Sequence, residues 1–508
     1  MVKFFRRILT FVLGFLFILP MTKVSSAQSY NVPSSIQYGD LNGAPYDKVT
    51  LYDAQLVAQY VAGLTTLTPT QMQEAEVSSI NETSPTINDA HLIAQYAIGS
   101  IKYFPVQQTP SSIASCLATN MTISVKSYGA KGDGITDDTV AIQNALNAAT
   151  PGSIVLLPSG QYIVSNVLTM GNPDVVLVGN GATLVATNPA YQALDITGSH
   201  CAVVGVVFQG VGTTRLTTPA SSKIIGQGNY LQLIGNTING GASAGIFIYV
   251  SQNYLIWGNS VSNTLADGIH NTNGSSENGS ANGIIENNTV THSGDDLISV
   301  VSYNYPSILP VSNVLIANNI VSGNNYGRGI TVVGGQGITF ANNTISNVNQ
   351  GAGIYVSQEE AEWNSVDSQN ILVEGNTISN IEIPPYVNTP DQHAAINIGG
   401  NTMPPQNVLV ENNTVTNTGY GGIRIYEMAC NEGIVNNQLS QIAGTPLQVT
   451  PSDCTASQNM CSGNTLSGYA LTNSNCAGTV APTVTGSNYV QYGQGATPVG
   501  SWKGCLNY

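Results

Sequence analysis

The chain has 508 residues, enough for more than one domain, yet only 8% are charged and the formal net charge is −15. A chain this acidic excludes nucleic acid and anionic membrane surfaces as partners, because both are held by basic patches. Neutral sugars remain open, and an acidic polysaccharide would need a local basic site.

Residues 1–27 read as a secretory signal. Lys3, Arg6 and Arg7 precede an apolar run from Ile8 to Pro20, and Ser25-Ser26-Ala27 offers small residues for cleavage. The run is short for a spanning helix, and no later stretch is long and apolar enough to cross a membrane. A secreted, extracellular protein is therefore expected. Export permits disulfides among Cys430, Cys454, Cys461, Cys476 and Cys505, whose pairing stays open; the seven cysteines leave at least one over. Cys201 reads as a buried core thiol.

A two-fold repeat follows. The run Asp53-Ala54-Gln55-Leu56 returns 36 positions later as Asp89-Ala90-His91-Leu92. Each run continues at helical spacing to a glycine stop, Gly63 or Gly99. Oxygen-bearing residues on alternate loop positions, followed by an acid on the helix, form the pattern of a calcium loop. On these residues, 38–103 resemble a dockerin, a paired calcium-loop module that binds a cohesin domain. The resemblance implies calcium ligands at Asp40, Asn42 and Asp53 and a cohesin-like partner. The interval from Asp40 to Asp53 is two residues longer than the family's loop, and Ala44 stands at a ligand position. The alternative is a helical module that only packs on its neighbour.

Residues 104–119 read as a linker. Beyond it comes Tyr128-Gly129-Ala130-Lys131-Gly132-Asp133-Gly134-Ile135-Thr136-Asp137-Asp138, then a helix capped by Asp137 and Asp138 and stopped at Pro151-Gly152, then a strand at 154–157. This opening resembles the pectate-lyase-like superfamily of right-handed β-helices. The resemblance implies that Asp133, Asp137 and Asp138 build an N-terminal cap. The expected fold is mainly β: a right-handed parallel β-helix over 120–460, preceded by a small α-helical dockerin-like domain and closed by a C-terminal cap over 461–508.

From Asn229 onward one unit recurs: a short strand, Asn-Asn or Gly-Asn, an apolar pair, a polar turn and a Gly-Ile strand. Asn236, Asn259, Asn288, Asn319, Asn343, Asn376, Asn413 and Asn437 mark successive units. A nearly constant minimum spacing with variable excess is the signature of a solenoid with loop insertions on one side. Asn at the turn accepts left-handed geometry and bonds its neighbours above and below, so these residues read as scaffold.

Aligning the Gly-Ile strands places Ala244, Asp267, Asp295, Arg328, Ala352, Ala394 and Gly421 in one file, with Asp296 beside Asp295. Carboxylates on adjacent rungs raise at least one carboxyl pKa, which supplies a general acid, while another stays ionised to activate water. Arg328 could hold a substrate carboxylate or orient an Asp. His270 and His292 lie close in sequence. Here the chain resembles the polygalacturonase family, which carries in order Asn-Thr-Asp, Gly-Asp-Asp, Gly-His-Gly and Arg-Ile-Lys. The resemblance implies Asp295 as general acid, with Asp296 and Asp267 activating water. Arg328 stands where the family has His. Arg424, in Gly422-Ile423-Arg424-Ile425-Tyr426, matches the last motif with Tyr for Lys and is taken to contact substrate or to bridge to Glu427. Tyr355 is a candidate for stacking on sugar. Glu359, Glu360, Glu362 and Trp363 read as a loop beside the groove.

The expected function is therefore a secreted glycoside hydrolase acting on an acidic polysaccharide, with no cofactor. A polyuronate lyase or epimerase is the alternative, with Arg328 and bound calcium neutralising the substrate carboxylate, although the Asp-Pro-His motif of mannuronan epimerases is absent. A non-catalytic glycan-binding surface β-helix is the third reading.

Overall fold

A chain of short apolar runs separated by polar turns can bury its Ile and Val only by coiling, each turn stacking on the last. The computed structural model bears this out. It describes residues 122–274, 279–360, 364–385, 392–453, 455, 458–484 and 487, with an N-terminal set comprising 41, 49, 51–61, 65–75, 77, 84–85, 89 and 93. The chain divides into two units, Met1–Gln107 and Gln108–Tyr508.

In the first unit the helix Leu51–Val61 falls where the repeat places one, and a further helix, Pro69–Ala75, was not anticipated. The repeat has a structural counterpart. The buried Asp53 carboxylate accepts the Leu41 backbone N–H at 3.0 Å, and the buried Asp89 accepts that of Val77 at 2.8 Å, each across twelve residues. Both acids thus tie the start of their own loop. Asp40 and Asn42, on which calcium binding depends, lie outside the described residues, as do the signal segment 1–27 and the linker 104–119. Among the described residues no helix is long and apolar enough to cross a membrane.

The second unit opens with the expected cap. Asp133 accepts the N–H groups of Ile135 and Thr136, and Asp138 accepts those of Lys131 and Gly132. Asp137 takes the N–H of Thr139 at the start of the helix Thr139–Ala148. All three aspartates are occupied by structure.

The strands then coil into three sheets of 13, 14 and 11 strands, pairing in parallel apart from an antiparallel hairpin at the C-terminal end. Each turn of the coil places one strand in each sheet. Inward positions are Ile or Val, as in the stack Ile238, Val261, Val290, Val321, Ile345, Ile378 and Val415.

The Asn-Asn and Gly-Asn pairs divide their labour. Their first residue turns the chain with positive φ: Asn318 at 54°, Asn342 at 55°, Gly375 at 64°. Only Asn or Gly adopts that conformation readily. The second residue builds a buried ladder. Asn319 Nδ2 donates to Asn343 Oδ1 at 3.0 Å and to Ile285 O at 2.9 Å, and its own Oδ1 receives both the backbone N–H and the Nδ2 of Asn288. The pattern runs through every landmark Asn from 236 to 437 and on to Asn464. The coil therefore extends past the expected boundary at 460: Met460–Ser462 still pairs with Gly433–Val435. A disulfide joins Cys461 to Cys476, and Cys201 is a buried free thiol.

Candidate active site

The 11-stranded sheet carries the site. Its strands are in register through Ile246, Ile269, Ile298, Ile330, Ile354, Ile396 and Ile423, which point inward. Two files run along the outer side. Counting two positions ahead of each Ile gives Ala244, Asp267, Asp296, Arg328, Ala352, Ala394 and Gly421. The expected file is thus corrected at one point: Asp296 occupies it, and Asp295 stands one residue earlier in the preceding turn. The ladder decides this, since Gly268 N–H bonds Asp296 O. The second file, one position after each Ile, is Phe247, His270, Ser299, Thr331, Tyr355, Asn397 and Arg424.

Ala244, Asp267, Asp296 and Arg328 of the first file and Phe247, His270, Tyr355 and Arg424 of the second line a groove of about 900 Å³. Asp267, Asp295 and Asp296 present oxygens all within 4.8 Å of one another, close enough to share a cation as well as a proton. Asp296 is buried, and Arg328 donates its backbone N–H to Asp296 Oδ1 at 2.6 Å. Burial pushes the Asp296 carboxyl well above the usual carboxylate range; Arg328 opposes, while Asp295 and Asp267 reinforce the shift. Asp295 is raised for the same two reasons, burial and the Asp267 charge, against the pull of Arg215. Asp267 accepts from Ser299 Oγ at 3.0 Å and contacts His270 Nδ1. Gly327, with φ of 77°, makes room: a Cβ there would meet Asp295 Oδ1 at 2.4 Å and Asp296 N at 2.6 Å.

Arg328 Nη2 also donates to Glu359 Oε1 at 2.6 Å while its guanidinium lies 4.4 Å from the centre of the Tyr355 ring. His270 stacks on Phe247 at 5.1 Å with planes 8° apart. Arg424 lies 4.0 Å from the centre of the Tyr426 ring and makes no ion pair with Glu427 among the described residues. His292 is the residue the fold removes from the site. It ends the strand Thr289–Thr291 in the neighbouring 14-stranded sheet, is exposed, and lies outside the groove lining because the chain bends between it and Asp295. Glu362 and Trp363 lie outside the described residues.

One functional residue escaped the sequence. Arg215, on the loop between the strands Val207–Gln209 and Ile224–Gly226, donates from Nη1 to Asp295 Oδ2 at 2.6 Å. A signal for it existed. The chain has five arginines; Arg6 and Arg7 lie near its start, outside the described residues, and the other three, Arg215, Arg328 and Arg424, all line the groove.

The model of the family described as rhamnogalacturonase A/epimerase, pectate lyase-like, matches residues 122–369, slightly under half of the chain. This chain carries a pectate-lyase-like right-handed β-helix. The catalytic unit of a thermostable GH87 α-1,3-glucanase from Streptomyces thermodiastaticus superposes with a TM-score of 0.51 at 20% identity, covering 72% of this chain and 73% of that one. PfbA, a surface adhesin of Streptococcus pneumoniae, superposes with a TM-score of 0.51 at 17% identity, covering 68% and 91%. At these identities the likeness is one of fold. The mannuronan C5-epimerase AlgE2 of Azotobacter vinelandii is 36% identical over 107 residues, 19% of this chain. The match spans 11% of that relative's length.

Proposed function

We propose that this β-helix is a secreted glycoside hydrolase that cleaves an acidic polysaccharide lying along the groove. The observation that carries the reading is the buried Asp296, its pKa raised by burial, set among two further carboxylates at the groove floor. Asp296 donates its proton to the glycosidic oxygen as the C1–O bond breaks. Asp267, held by Ser299 and His270, takes a proton from the water whose oxygen bonds to C1. Asp295, paired with Arg215, faces the positive charge that develops at C1. Asp296, rather than Asp295, is thus given the role of acid, because it is the more deeply buried of the two. In a chain of net charge −15, Arg424 stands in the groove with no carboxylate partner among the described residues, since Arg215 and Arg328 are each paired, and it favours an anionic group on the substrate.

The second reading is a lyase or epimerase acting on a polyuronate. The local identity with AlgE2 and the groove arginines favour it, since removing the C5 proton requires the adjacent carboxylate to be neutralised. The test is a screen of the signal-free protein on polyuronates and on neutral glucans. Reducing ends appearing on an acidic polymer without the ultraviolet absorbance of unsaturated uronate support hydrolysis. That absorbance would transfer the reading to a lyase, and inverted uronate units in an uncut chain to an epimerase.

A further inference from the structure

The far end of the groove holds polar groups that the proposed hydrolysis does not use. Arg215 and Arg328 are each paired with a carboxylate at 2.6 Å. Arg424 is not so paired among the described residues. Its Nη1 reaches the Gln392 carbonyl at 3.3 Å, its plane rests on Tyr426, and its buried Nε has no hydrogen-bond partner among the described residues. Glu427, three residues on, is bonded instead by Asn401 at 3.3 Å.

Two further polar groups lie beside it. Asn397 pairs with Arg424 across the adjacent strands, is fully buried, and sets its side chain against Tyr426. His393 lines the groove with its side chain 12% exposed, and its Nδ1 faces a buried carboxylate. Behind the imidazole stands Glu382, fully buried, whose Oε1 accepts the His393 backbone N–H at 3.1 Å and lies 3.5 Å from Nδ1. The Tyr355 ring meets the imidazole edge-on at 5.5 Å. Buried polar groups are nearly always satisfied, so a groove-lining arginine with an open Nε and no carboxylate partner among the described residues indicates that an outside acceptor completes it. An arginine on an aromatic face with open N–H groups suits a carboxylate or sulfate.

Position along the coil says which part of the substrate this is. Arg424 lies four strands beyond the Asp296 rung, or about 19 Å at the spacing of parallel strands. That is a reach of several linked sugars rather than one.

We propose that Arg424, with His393 beside it, forms a distal anion subsite, seating an acidic group on a sugar several units away from the bond at Asp296, so that the protein selects long, charged chains. The proposal rests on the reading that a polysaccharide lies along the groove. Binding energy gained at such a distance serves to align the scissile bond.

The test uses binding, so that it does not depend on turnover. Asp296→Asn full-length protein is titrated with oligouronates of graded length, their carboxyl-reduced counterparts and a sulfated oligosaccharide series. Affinity for an acidic series should rise at least tenfold once the oligomer is long enough to reach Arg424. Arg424→Gln should remove that gain and leave short oligomers bound as before, Arg424→Lys should restore part of it, and His393→Gln should weaken it. Thermal unfolding of each variant separates loss of fold from loss of site. The uronate and sulfate arms tell which anion is held. The subsite is overturned if Arg424→Gln leaves the length dependence intact, or if carboxyl-reduced and acidic chains bind alike. Retention of the length dependence in a protein that yields no reducing ends would overturn the hydrolase reading alone, and reducing ends without the length dependence would overturn the subsite alone.

Discussion

Arg215 and Asp295 meet at 2.6 Å although 80 positions separate them in the chain. The loop bearing Arg215 springs from a rung three strands ahead of Asp295, so it leans about 14 Å along the groove to reach the acid. The guanidinium holds down a carboxyl that burial and Asp267 push up. Replacing Arg215 by Gln should therefore raise the Asp295 pKa further and move the acid limb of the pH–activity profile to higher pH. Loss of one charged hydrogen bond also predicts a fall in kcat/KM of about tenfold to a hundredfold. A pH profile of the variant checks both; an unmoved acid limb would detach Arg215 from the chemistry.

Asn319→Ala should weaken the whole coil. It strips the Asn288 backbone N–H and the Ile285 carbonyl of buried partners, at a cost of about 2–5 kcal/mol. Thr344→Ala, at an exposed position of the strand Thr344–Val348, should stay within about 0.5 kcal/mol. Denaturant unfolding of the two variants side by side makes the comparison.

Glu432 predicts a pH dependence of stability. It is fully buried; Oε2 accepts the Val408 N–H at 2.8 Å, and Oε1 has no partner among the described residues. Burial raises its pKa well above the usual carboxylate range. The folded state then holds the proton more tightly than the unfolded one. The stabilisation is complete below the unfolded pKa of about 4.3 and is lost as pH rises through the folded value. Glu432→Gln should flatten that slope, as followed by melting temperature between acidic and neutral pH.

Chelation addresses the metal. The hydrolytic reading uses no cation between the aspartates, so activity should survive exhaustive treatment with a calcium chelator. Loss of activity, restored by calcium, would favour the polyuronate lyase or epimerase.

The coil was legible in the sequence because its rule is local. Asn or Gly at positive φ followed by a laddering Asn writes a visible mark on each turn, whatever the length of the insertions between marks. The acids were legible for a similar reason, since a chain with few charges repeated them at one point of the unit. The exact file was not. In Gly294-Asp295-Asp296 a slip of one residue exchanges turn for file, and only the ladder hydrogen bond from Gly268 chooses. His292 shows the opposite error: three residues from Asp295, it is separated from it by the corner between two sheets. Arg215 was hidden because a loop insertion places it by tertiary contact alone. His393 gains its place only when the strand Ala394–Gly400 brings it beside Tyr355.

The most direct test of the account is the rate of reducing-end release from an acidic polysaccharide by the protein and by Asp296→Asn, with folding of the variant verified by melting temperature. Removal of the proton donor predicts a fall of about a hundredfold to ten-thousandfold. Because the lost carboxyl is buried, the melting temperature at neutral pH should be unchanged or higher. A folded Asp296→Asn protein that releases reducing ends at the parent rate would contradict the assignment of the acid, and with it the proposed chemistry of the groove.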